Sequence, residues 1–143
     1  MAQKLEGRYD AFLINFEDKL VFITGGTNPR NRHSHIYNSV DQYSIEDDKW
    51  TPAPNMKLSR YNHSGCSLGG KIYVFCGWTD NDICTNTIES LDMKALLNEG
   101  KSEDTAPVEW DLIKPPKEDL LKRSNLLACP MSDTKIVIIG GRS

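Results

Sequence analysis

The chain has 143 residues, 38% of them hydrophobic and 26% charged, which fits one soluble globular unit and not a disordered segment. Its net charge of −3, with no basic run, provides no Lys/Arg footprint for sequence-independent binding of nucleic acid. Apolar stretches end after four or five residues, far short of a membrane span, and the start MAQKLEGRYD lacks the apolar centre of a signal peptide, so a cytoplasmic protein is expected.

After Arg8, the alternation of Phe12, Ile14 and Phe16 predicts a strand, and LVFI at 20–23 a second one closed by Gly25-Gly26. A polar loop, 27–37, leads to a third strand at 40–45 and a short fourth at 49–51, which carries Trp50. The second unit starts at Arg60. Strands are expected at 61–68 and 71–76, joined by a two-residue Gly69-Gly70 hairpin turn. Consecutive apolar residues in 71–76 require burial on both faces of that strand. A third strand follows at 87–92 and a fourth at 108–113, with Trp110 placed to fill the gap between neighbouring sheets. Between them MKALLN at 93–98 predicts one or two helical turns, and 101–107 a polar connection. The run 118–123 leads into a third unit from Arg123, which stops after a strand ending in Gly140-Gly141.

These units repeat. Arg8, Arg60 and Arg123 lie 52 and 63 residues apart, and each precedes a strand pair ending in LVFITGG, IYVFCG or IVIIGG. A period of about 50 residues is that of a propeller blade. Asn38-Ser39-Val40-Asp41-Gln42-Tyr43 returns as Asn86-Thr87-Ile88-Glu89-Ser90-Leu91, followed by Trp50 and Trp110, and Met56 stands four residues before Arg60. In this order the pieces resemble the Kelch repeat: Arg-x-x-His, a strand ending in Gly-Gly, Asn-x-Val-x-x-Tyr, Trp, Met-x-x-x-Arg. The first unit has Ala11 where the second has His63, Cys76 replaces a glycine, and Leu91 replaces the tyrosine. The resemblance implies an all-β fold: a Kelch-type propeller segment of about two and a half four-stranded blades within 1–143, with units at 8–54, 60–114 and 123–143. A closed ring needs about four to eight blades. The chain is therefore expected to be a fragment of a longer propeller; a truncated product, or a protomer that self-associates through its open blade edges, are the alternatives.

In an antiparallel blade whose strands are lettered a to d, the b–c and d–a loops share one rim. The first b–c loop carries Arg30, Arg32, His33, His35 and Tyr37; the second, at 78–85, carries Trp78, Asp80 and Asp82. Arg60 and Arg123 face the same rim. Guanidinium groups beside aromatic rings suit an acidic peptide, so the expected partner-binding residues are Arg30, Arg32, His33, Tyr37, Arg60, Trp78 and Arg123. For Arg8, Arg60 and Arg123 a structural role that bridges strands or blades is the competing reading, and Asp80 and Asp82 are candidates to neutralise the arginines across the mouth. Kelch-family adaptors use this mouth in the same general way, which implies a non-enzymatic module binding a protein or acidic peptide. The resemblance leaves open a substrate-recruiting part of a ubiquitin-ligase adaptor, or a fragment of a Kelch-fold oxidase or sugar epimerase.

No catalytic, metal or cofactor site is expected. The chain has no phosphate-cradling Gly-x-x-x-x-Gly-Lys-[Ser/Thr] motif. His33 and His35 have no evident third ligand, His63 reads as a hydrogen-bonded structural residue, and Asp47-Asp48 and Glu103-Asp104 read as solvated turns. Cys66, Cys76, Cys84 and Cys129 show no CxxC spacing and are expected to be reduced, with Cys66 and Cys129 in equivalent packing positions.

Overall fold

The computed structural model describes residues 7–28, 30, 35–80, 82–98, 106–115 and 122–142. Three antiparallel sheets follow one another along the chain. The first is the meander β1 (Phe12–Phe16), β2 (Leu20–Thr24), β3 (Val40–Ser44) and β4 (Lys49–Ala53). The second is β5 (Ser64–Leu68), β6 (Lys71–Phe75), β7 (Ile88–Asp92) and β8 (Asp111–Ile113), with α1 (Met93–Asn98) between its last two strands. The third holds β9 (Ser124–Ser132) and β10 (Lys135–Arg142). Gly69 and Gly70 close the β5–β6 hairpin at φ +58° and +75°, the paired left-handed geometry that matches strand twist.

The sheets stack as blades. Their first strands touch in succession, β1 against β5 and β5 against β9. Between blades 1 and 2, Ile14, Phe16, Phe22 and Val40 pack on Ile72, Val74, Leu91 and Trp110. Between blades 2 and 3, Cys66, Phe75 and Cys76 pack on Leu126, with Tyr73, Ala128, Ile136 and Ile138 alongside. Strand β6 thus supplies alternate residues to two cores, which is why its sequence is apolar at consecutive positions. Each fully buried side chain of this size contributes about 1.5–3 kcal/mol. The approach is close enough to require glycine: a Cβ on Gly65 would lie 2.6 Å from Ile14 Cδ1 and 2.6 Å from the Tyr73 carbonyl oxygen.

The strands expected at 61–68 and 108–113 are shorter than the sequence pattern suggests. Asn62 takes a left-handed φ of +51° and separates Tyr61, which bridges Trp78, from β5. Asp10 and Asn125 adopt the same corner, at +56° and +54°. The three corners are bonded in series: Asn62 N–H donates to the Asp10 carbonyl at 3.0 Å, and Asn125 N–H to the Asn62 carbonyl at 2.9 Å. Trp110 precedes β8 because its ring turns into the core, where Nε1 donates to the Pro54 carbonyl at 2.7 Å.

Leu127, Met131 and Ile139 stand 65%, 67% and 59% exposed on blade 3. Among the described residues no further sheet covers this face. Cys129, expected to pack as Cys66 does, is exposed for the same reason. Glu103, Asp104 and residues 118–121 lie outside the described residues. Asp47 and Asp48 are engaged in their turn, accepting from the Ser44 hydroxyl at 2.7 Å and the Tyr43 hydroxyl at 2.5 Å.

Candidate functional site

The arginines that open the repeats divide by what surrounds them. Arg60 is fully buried. Its Nη1 donates to the Cys76 carbonyl at 2.7 Å, and its Nη2 to Thr87 Oγ1 at 3.1 Å and Glu89 Oε1 at 2.7 Å. Glu89, equally buried, also accepts the Lys57 N–H at 2.5 Å and the Leu58 N–H at 3.1 Å. The pair therefore ties strands b and c of blade 2 to the linker that enters it. Burial pulls the Arg60 pKa below its usual value and Glu89 opposes the fall; the guanidinium remains charged. Arg60 is thus out of a partner's reach, and the competing structural role is the one its surroundings support.

Arg8 repeats the arrangement at shallower depth, donating to the Ser39 carbonyl at 2.9 Å and pairing with Asp41 at 2.5 Å. Asp41 and Glu89 are the functional partners that sequence reasoning missed. Their signal was present: each is the fourth residue of the Asn-led segment. Arg123 is exposed and donates to the Gly140 carbonyl at 2.9 Å.

The loops that share a rim are joined by two small ladders, Tyr9–Thr27–Ile36 in blade 1 and Tyr61–Trp78–Cys84 in blade 2. Arg30 is exposed, with its backbone N–H held by Asn28 Oδ1 at 2.8 Å. Tyr37 is buried, with the Arg8 guanidinium 5.0 Å above its ring and His35 edge-on at 4.7 Å. It supports the rim instead of lining it. Trp78 is half-buried. Arg32 and His33 lie outside the described residues. Asp80 accepts from the Ser59 hydroxyl at 2.6 Å, and Asp82 from the Tyr61 hydroxyl. Burial, then Asp82 and Asp10, raises the Tyr61 pKa. Both acids are thus engaged within blade 2, a different arrangement from the neutralisation of arginines across the mouth. Tyr9, 45% exposed, joins the rim unforeseen.

His63 bridges blades. Thr24 has one hydroxyl proton and a carbonyl acceptor, Phe12 O at 3.2 Å, so His63 Nε2, at 2.8 Å, is the donor to Thr24 Oγ1. Nδ1 is buried without a partner. Burial first, and Arg60 second, holds its pKa down to about 3. A neutral imidazole locked this way packs blades. Among the described residues no three His, Cys, Asp or Glu side chains gather as a metal site.

The Kelch motif matches residues 18–57 and 59–96, more than half of the chain. The chain belongs to the Kelch repeat family. It is 28% identical over 128 residues to an F-box/kelch-repeat protein of Arabidopsis thaliana, covering 84% of this chain. It is 27% identical over 122 residues to the human Kelch repeat and BTB domain-containing protein 12, covering 85% of this chain. To Kelch-like protein 26 of Danio rerio it is 27% identical over 131 residues, covering 92%. The chain spans 30% of the plant protein and 18% of each vertebrate one.

Proposed function

We propose that this Kelch segment is a non-enzymatic interaction module that binds an acidic segment of a partner protein on the rim formed by its b–c and d–a loops. The observation that carries this reading is the uneven use of charge there. Asp80 and Asp82 are engaged by Ser59 and Tyr61, and Arg8 by Asp41, while Arg30, Arg123 and Tyr9 are exposed and Trp78 is half-buried. Arg32 and His33 belong to the same loop sequence, where Arg32 adds a second positive charge. Guanidinium–carboxylate pairs with aromatic neighbours give both affinity and orientation.

The test is fluorescence anisotropy with an acidic, aromatic peptide. The combined Arg30→Ala, Arg32→Ala and Arg123→Ala variant should bind about tenfold more weakly, with a shallower dependence on salt. Unchanged affinity overturns the assignment. The F-box and BTB names of the relatives support a second reading. In it, the same rim recruits a substrate to a ubiquitin ligase assembled by another domain of a longer protein.

A further inference from the structure

On the opposite rim, where the a–b and c–d turns lie, a groove of about 900 Å³ separates the outer half of blade 1 from α1. Its floor is apolar, made by Phe16, Leu20, Ala53 and Leu96, all packed into or against the core between blades. Ile45 and Leu97 stand on its two sides, 49% and 50% exposed. The far wall exists because the c–d connection of blade 2 carries a helix that blade 1 lacks. That helix is fixed in place. Met93 is fully buried, and Asp92 Oδ1 accepts the Ala95 N–H at 3.0 Å as an N-cap.

Two further features say what the groove takes. Glu17 and Asp18 reach it from the β1–β2 turn and Glu46 and Asp47 from the β3–β4 turn, against two lysines, Lys19 and Lys49. Lys19 lies 3.8 Å from Glu17, so part of its charge is already matched. In the lining, the Gln42 amide donates from Nε2 to Thr51 Oγ1 at 3.2 Å, while its buried Oε1 has no donor. An apolar floor, an acceptor lacking its hydrogen and an excess of carboxylate together favour an occupant that brings apolar side chains, N–H donors and positive charge. We infer that this groove binds an extended segment of another protein in which apolar residues alternate with lysine or arginine. The two rims then select opposite charge: acidic segments at the b–c and d–a loops, basic ones here.

The experiment uses the whole chain and three labelled peptides, alternating Leu/Lys, Leu/Glu and Gly/Lys. Saturable binding of Leu/Lys alone, weakened by salt, is expected. Leu97→Asp and the Glu46→Lys/Asp47→Lys pair should each cost about tenfold in affinity. Leu127→Asp, on the exposed face of blade 3, should leave binding unchanged and shows that the variants report the groove and not general stickiness. Equal binding of Leu/Glu, or of Gly/Lys, overturns the inference. So does self-association of the chain that Leu97→Asp abolishes, because the groove would then be filled by a second copy.

Discussion

Residues at matching distances from the arginines of blades 2 and 3 differ in their surroundings. Cys66 and Cys129 both stand six residues after the arginine, one buried and the other exposed. Arg60 and Arg123 precede the two strands; one is buried against Glu89, and the other is exposed and donates to the Gly140 carbonyl. The same local sequence therefore gives a core residue or a surface residue according to whether the next sheet and the third strand are present. Burial here belongs to the pair of blades, as stability in a repeat fold belongs to neighbours.

The sharpest way to break this comparison is to remove the acid. Glu89→Ala leaves the Arg60 charge buried without a counterion, and urea unfolding should show a loss of about 3–5 kcal/mol. Arg123→Ala should change stability by no more than about 0.5 kcal/mol. Equal losses would mean that depth does not separate the two arginines. Gly65→Ala pushes a methyl into Ile14 and the Tyr73 carbonyl and should cost about 1–3 kcal/mol in the same measurement.

A smaller effect per unit of pH is expected at His63. Its folded pKa of about 3 lies below the unfolded value of 6.5, so the unfolded chain takes up a proton first as pH falls. Stability contributed by the neutral ring is complete above pH 6.5 and is lost between there and pH 3. The slope approaches about 1.4 kcal/mol per unit in that window. His63→Leu, which copies Leu126 at the matching place in blade 3, should remove this component from the stability–pH curve. The mildest test is thiol labelling of the native chain. Cys129 should react first, while Cys66 and Cys76, buried and pushed up to about 11, should react last.

The strand order and the two-faced strand β6 were legible because hydrophobic periodicity is a local record of burial. The hairpin at Gly69-Gly70 was legible because only glycine adopts paired left-handed angles freely. The depth of Arg60 was not. Its acid lies 29 residues away, and a guanidinium at a loop end reads alike whether it faces a partner or a carboxylate. Tyr37 misled for a similar reason, since aromatic composition does not reveal that Arg8 covers the ring. The groove beside α1 was illegible too: the insertion was visible, but its distance from blade 1 is a tertiary fact.

The linked corners at Asp10, Asn62 and Asn125 give the stack a sense of rotation. The Asn62 and Asn125 amides both donate back to the corner of the preceding blade, so the two bonds run the same way and polarise one another. A blade inserted upside down would carry its corner to the other rim and leave the preceding blade's corner carbonyl without this donor. The corner thus works as a directional key, admitting each new blade in a single orientation.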